Sequence, residues 1–473
     1  MSVASDVVLQ PASEIRRLVA SRQVSAVEVV EASLARVDRL NDTINAVVTL
    51  NPRAVDDARE IDRKLGAGDA PGLLCGLTAG IKDVTPVESL RTTYGSPIYT
   101  DNVPEQDAVA VQRLRAAGAV ILGKTNCPEF AAGGNTFNEV FGRTRNPWNT
   151  DRSAGGSTGG GAAALATGMI ALAEGTDLGG SLRIPASFCG IVGLRPSLGL
   201  VPTYPTDWAW DPLQVSGPMA RTVDDVALML QAMAGPTEWS PLRQQAAGRD
   251  FVAAARRGIT RGTRVAYVAD PARIGIDTDI EQRCRDAAMR LADAGARVSE
   301  IDLDLSAGRK AFLALRGLWF VTHMMPRMEH AERFGPNVGN NVRAGLKLTV
   351  PDIAAAEQER NRIWERFREL FARFDYVVTP CMAVPPFPVE QNYPSTIAGK
   401  PMATYIDWIA PTFVLSLTSL PVASVPCGLD DERLPVGLQI VGRPADEESV
   451  LALAAVIQQA NPIGLPLGSA DRG

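Results

Sequence analysis

Residues 155–183 hold two glycine-dense loops separated by an alanine-rich run and an apolar run, and few backbones accommodate such a segment. The first loop reads Gly155-Gly156-Ser157-Thr158-Gly159-Gly160-Gly161, and the second Leu178-Gly179-Gly180-Ser181-Leu182-Arg183. Glycine has no Cβ, so such loops turn sharply and let other backbone approach closely. The alanines that follow predict a helix over residues 160–167, and Met169 to Ala173 predicts a buried strand that delivers the second loop. Each loop presents one serine, Ser157 and Ser181.

A serine hydroxyl is a poor nucleophile until a base takes its proton. The chain has only two histidines, His323 and His330, seven residues apart on one face of a long predicted helix near 307–331. Neither has an evident route to a Ser/His/Asp site. The expected base is therefore a lysine, and Lys82, at the end of a predicted strand over Leu77–Ile81, is the candidate.

Outside this segment, amphipathic helices alternate with short apolar strands. Two or three helices are expected within residues 12–68, strands at Ala119–Leu122, Val265–Ala269, Val298–Leu303, Tyr376–Thr379, Ala423–Pro426 and Gly437–Val441, and helices at 107–117, 224–233, 280–294, 352–373, 405–417 and from Glu447 onward. That alternation predicts an α/β fold, a single large domain with a central mixed β-sheet covered by helices on both faces. No repeat, low-complexity linker or sharp change of composition divides the chain.

The net charge of −6, with no basic stripe, argues against nucleic acid as a partner. The longest apolar-leaning run, about 159–173, is too short and too glycine-rich to span a membrane, which takes about 20 residues. The N-terminal Met1-Ser2-Val3-Ala4-Ser5-Asp6 lacks the basic-then-apolar pattern of a signal peptide, so a cytoplasmic location is expected. Six scattered cysteines without CxxC spacing read as buried thiols, and too few histidines are present for a metal cluster. No metal and no cofactor are expected.

The sequence resembles the amidase signature family of serine hydrolases. The resemblance is carried by Gly-Gly-Ser-Thr-Gly-Gly (155–160), Gly-Thr-Asp-Leu-Gly-Gly-Ser-Leu-Arg-Ile-Pro-Ala (175–186) and Gly-Ile-Lys-Asp (80–83), with 24 positions between the serines and 75 from Lys82 to Ser157. Supporting segments include Gly123-Lys124-Thr125-Asn126, Pro128-Glu129-Phe130, Gly193-Leu194-Arg195-Pro196 and Leu434-Pro435-Val436-Gly437-Leu438-Gln439, so the likeness spans about residues 10–460. Thr158 stands where a second serine is common, and Cys127 interrupts a usually apolar position. The resemblance implies one amidase domain over 1–473, with a helical region about 1–70, a signature core about 75–235, and a substrate-pocket and C-terminal region about 236–473.

By this resemblance, Ser181 is the nucleophile, Ser157 the proton bridge after a cis peptide bond, and Lys82 the base. Backbone N–H groups of Leu178, Gly179, Gly180 and Ser181 are expected to form an oxyanion hole. Asp177 and Arg183 brace the loop as an ion pair, and Thr176 adds a hydrogen bond near Ser157. To act as base Lys82 must be neutral, which burial favours.

Aromatic residues outside the signature, Trp208, Trp210, Trp319, Tyr405 and Trp408, are candidates for an apolar substrate pocket, with helical core packing as the competing explanation. The expected activity is hydrolysis of a small-molecule amide, apolar or aryl, with anilides and carbamates included. Two alternatives remain open: the glutaminase subunit of a tRNA-dependent amidotransferase, and a non-catalytic binding scaffold. A nucleotide-binding reading of Gly159-Gly160-Gly161-Ala162-Ala163-Ala164 fails because a loop, not a strand, precedes it. A homodimer is common in the family resembled, and no residue pattern selects it.

Overall fold

The computed structural model describes residues 7–466, so the N-terminal hexapeptide discussed above lies outside the described residues. Eleven strands form one sheet. They are β1 (Val47–Leu50), β2 (Thr78–Lys82), β3 (Val120–Thr125), β4 (Leu172–Asp177), β5 (Val192–Arg195) and β6 (Val215–Ala220). The remainder are β7 (Arg264–Tyr267), β8 (Arg297–Glu300), β9 (Tyr376–Pro380), β10 (Val422–Leu429) and β11 (Pro435–Val441). Their spatial order is β1-β3-β2-β4-β6-β5-β10-β11-β9-β7-β8.

The sheet is mixed. β2 runs parallel to β3 and β4, and β9 runs parallel to β7, whereas β4 meets β6 and β10 meets β11 in antiparallel pairs. Successive side chains of a strand point to opposite faces. Val265 and Tyr267 accordingly enter one core while Ala266 and Val268 enter another; Val378 and Val377 divide in the same way. The first core is closed by helices such as Ala26–Ile44, Val223–Met233 and Glu447–Ala460. The second is closed by Gly308–Met324, Val350–Arg373 and Ala410–Ser416.

Three strands are not legible from periodicity: β1, β5 and β6. β6 contains Gly217 and Pro218, which weaken a strand reading, yet Pro218 sits opposite Glu174 in the ladder. The strand expected at 169–173 begins later and continues through Glu174, Thr176 and Asp177. Those polar residues look like loop in isolation; here their partners lie on other elements.

The helix expected near 307–331 ends at Met324, and a 3-10 segment, Met325–Arg333, follows. Pro326 has no N–H to continue the ladder, and its ring clashes with the preceding turn. His323 and His330 therefore do not share a helix face. A further helix, Pro336–Gly345, occupies a region left without an element by the sequence reading. Among the described residues no helix is long and apolar enough to cross a membrane.

Candidate active site

β2 ends on Lys82 between two parallel neighbours, so its side chain starts from the middle of the sheet. Lys82 is fully buried. Its Nζ donates to Ser157 Oγ at 2.6 Å and to Thr176 Oγ1 at 2.9 Å. Thr176 thus makes its hydrogen bond beside Ser157, to the lysine that Ser157 also meets, because β4 lies directly beside β2. Burial pushes the Lys82 ammonium down to about 8 against the opposing pull of the Glu174 and Asp177 carboxylates. At that value a minor fraction is neutral near physiological pH, and in that fraction Ser157 O–H can donate to the amine.

Ser157 precedes Thr158, the N-cap of the buried helix Gly159–Ala166, and the Gly156–Ser157 peptide is cis. The helix lies against the chain after β3 so tightly that a Cβ on Gly160 would meet Asn126 N at 2.3 Å. That contact explains the glycine run better than turn-making does.

Ser181 follows β4 and is half-buried. With Ser157 it lines an inner chamber of about 40 Å³, bounded also by Leu178, Gly179, Phe312 and Trp319. Ser181 Oγ makes no hydrogen bond among the described residues. The Lys82–Ser157 contact is therefore formed, whereas the Ser157–Ser181 contact is open.

The loop before Ser181 is held by a buried charge cluster. Asp177 is fully buried and pairs with Arg183 at 3.0 Å and with Arg195 at 3.2 Å. Burial disfavours the Asp177 carboxylate, but the two guanidinium groups outweigh it and hold the group far below the usual range. Arg183 also reaches Gln439 Oε1 at 2.8 Å and Ser416 Oγ at 2.7 Å, tying the loop to the far half of the sheet. Arg195, marked in the sequence only by its supporting segment, is a full member of this cluster.

One expectation about the oxyanion hole is corrected. Gly180 N–H donates to Asp177 Oδ1 at 2.8 Å and so does not face the chamber. Among the described residues, no hydrogen bond is found for the N–H groups of Leu178, Gly179 and Ser181. Gly180 itself has φ +127°, and a Cβ there would meet Thr412 Oγ1 at 2.2 Å. Thr412 Oγ1 in turn donates to Gly179 O at 2.6 Å, which fixes the loop from behind.

Behind the lysine lies a second buried amine. Lys124 Nζ bonds Thr85 O and, at 3.1 Å, Thr92 Oγ1; burial pushes it down to about 8, opposed chiefly by Asp83 and Glu174. Glu174 is raised by burial and accepts from Thr85 Oγ1 at 3.1 Å. Cys127, pushed up to about 12 by burial, is a protonated thiol here.

The aromatic candidates separate. Trp319 and Tyr405 line the inner chamber. Trp408 is fully buried between Phe387 and Phe188, with ring centroids at 5.0 and 6.0 Å, and belongs to the core. Trp210 is 65% exposed and lines neither chamber. Trp208 borders a separate small cavity beside Asp211. Helical spacing alone could not tell these cases apart, since it reports a shared face and not what that face meets.

An outer cleft of about 250 Å³ shares Phe130, Thr176, Gln214 and Trp319 with the inner chamber and is rimmed by Asp207 and Arg327, paired at 2.6 Å. His323 borders this cleft, stacked 4.0 Å from the Trp319 ring, and bonds neither serine. Phe130, at φ +45°, stands where the two chambers join; only its place in a supporting segment marks it in the sequence.

The amidase family model matches residues 28–451 of the chain. An acylamidase of Rhodococcus erythropolis is 35% identical over 95% of this chain and 95% of its own. The homologous subunit of the glutamyl-tRNA(Gln) amidotransferase of Roseiflexus castenholzii is 36% identical over 94% and 95%. Among solved structures, a bacterial aryl acylamidase of the amidase signature enzymes superimposes with a TM-score of 0.90 at 29% identity, covering 96% of each chain.

Proposed function

The chain belongs to the amidase family and is an amidase, and from that premise we propose that it cleaves apolar or aryl carboxylic amides, anilides and carbamates included, through an acyl-enzyme on Ser181. The observation that carries this reading is the fully buried Lys82 amine 2.6 Å from Ser157 Oγ, at the wall of the chamber that Ser181 also lines.

In this mechanism Ser181 Oγ bonds to the carbonyl carbon while its proton passes to Ser157, whose own proton moves to neutral Lys82. The negative oxygen that develops is met by the N–H groups of Leu178, Gly179 and Ser181. The C–N bond then breaks, and the leaving nitrogen takes the proton back from Lys82 by way of Ser157. Water, deprotonated along the same path, releases the acid and restores Ser181. The open Ser157–Ser181 contact is compatible with this sequence, since catalytic hydrogen bonds often tighten only with substrate bound.

The test is covalent capture. A fluorophosphonate probe is expected to label the peptide containing Ser181, and Ser181→Ala to abolish labelling and amide turnover together; labelling that survives the substitution refutes the assignment. The glutaminase reading draws on the likeness to the amidotransferase. Glutamine turnover by protein that co-purifies with a second, different chain would favour it.

A further inference from the structure

Resting on the hydrolase reading above, we propose that the inner chamber recognises a carboxylate, so that the amide cleaved carries an acidic group and no amine. Arg316, on the helix Gly308–Met324, lines the same chamber as Ser157 and Ser181 and is only 5% exposed. A buried charge is costly unless it is paired and hydrogen-bonded. Two other buried arginines have a carboxylate partner, and a third is saturated by backbone acceptors. Arg183 and Arg195 share Asp177, and Arg221 is held by four backbone carbonyls, of Leu165, Ile170, Val8 and Gln10.

Arg316 has no such set. Its Nη1 donates to Asn341 Oδ1 and its Nη2 to Tyr405 Oη at 2.7 Å, both neutral acceptors, and no carboxylate pairs with it among the described residues. A guanidinium carries five N–H donors, so most of its capacity is left. Tyr405 Oη also accepts from Asn341 Nδ2 at 2.5 Å. With two bonds accepted, the hydroxyl keeps its own proton to give, and it meets no acceptor among the described residues. Asn341 is engaged at both ends. This corner of the chamber therefore offers donors alone.

A planar acceptor-only group, able to take two parallel bonds from a guanidinium, is a carboxylate. The rest of the wall supports a short apolar arm leading to it. The Phe320 ring lies 4.6 Å under the guanidinium carbon, and Phe312 and Ile409 are apolar. Trp319 spends its indole N–H on Asp211 at 2.6 Å, outside the chamber. No Asp or Glu lines the chamber among the described residues, so an α-ammonium group would find no counter-charge. Glutamine fits poorly for that reason, whereas the mono-amide of a dicarboxylic acid fits well.

The test measures binding and turnover separately, using glutaranilic acid and its uncharged analogue N-phenylpentanamide as the probes. In Ser181→Ala protein, calorimetry should find the acid bound at least about tenfold more tightly, the scale of a hydrogen bond to a charged group. Arg316→Gln in that background should abolish the preference and Arg316→Lys retain part of it; Tyr405→Phe, a change of one hydroxyl, should reduce it severalfold. Equal binding of the two compounds, no binding of the acid at millimolar concentration, or a preference that survives Arg316→Gln overturns the proposal. A preference in binding with no turnover by the Ser181 enzyme would fail the hydrolase reading alone; turnover of the neutral anilide with no preference would fail this inference alone.

Discussion

Lys82→Met replaces the buried amine with an apolar chain of similar length, and the structure gives the size of the effect on stability. Burial lowers the lysine from 10.5 to about 8. That difference corresponds to about 3 kcal/mol of disfavour for the charged form in the folded state. The unfolded chain binds this proton more tightly, so between about pH 8 and 10.5 it holds more protons than the folded one. Wild-type stability consequently rises with pH through that window, while the full penalty is present below it. At pH 6.5 the variant is relieved of about 3 kcal/mol, and at pH 9.5 of only about 1 kcal/mol. Against both stands a pH-independent loss of about 1 kcal/mol for each hydrogen bond to Ser157 and Thr176 that methionine cannot make. Urea unfolding of both proteins at the two pH values should therefore show the variant's relative stability falling by about 2 kcal/mol from pH 6.5 to 9.5. A difference between the two proteins that is constant across pH would refute a depressed, buried lysine, and with it the source of the neutral base.

In catalysis the same lysine should give kcat/KM an acid limb with a midpoint near pH 8, falling about tenfold per pH unit below it; a flat profile from pH 5 to 9 with chemistry rate-limiting excludes Lys82 as base. Ser157→Ala and Lys82→Met should each cost orders of magnitude in kcat, and the double variant little more than the worse single one, because relay members act as a unit; multiplicative losses would separate them. Arg183→Met leaves the Asp177 carboxylate with Arg195 as its one ionic partner and should destabilise the fold by about 3–5 kcal/mol, read by denaturant unfolding. Gly180→Ala forces a Cβ onto Thr412 Oγ1 at φ +127° and, by displacing the neighbouring oxyanion donors, should lower kcat by about 100-fold or more, as steady-state assays would show.

The residues that the sequence singled out divide by the range of the forces acting on them. Lys82, Ser157 and Ser181 could be nominated from the sequence because their motifs are local, and the structure brings Lys82 to Ser157 and sets Ser157 and Ser181 on one chamber wall. The alternation of elements likewise made the layered α/β fold legible, since a period of 2 or 3.6 is imposed by whichever core a segment faces. β6 was hidden by its own Gly217 and Pro218, and β4 by its polar end, because the partners that make such residues acceptable in a strand lie far along the chain.

The amino-acid order by itself determined which groups could do chemistry and the class of fold that carries them, because hydroxyl, amine and hydrophobic period are properties of short stretches. The tertiary structure alone decided that Gly180 N–H is spent on Asp177, that Trp408 is core while Trp319 is wall, and that Arg316 meets Tyr405 and Asn341 with no acid beside it. Each of these is fixed by contacts between residues distant in sequence, where burial and the lack or presence of a partner set the energy of a polar group.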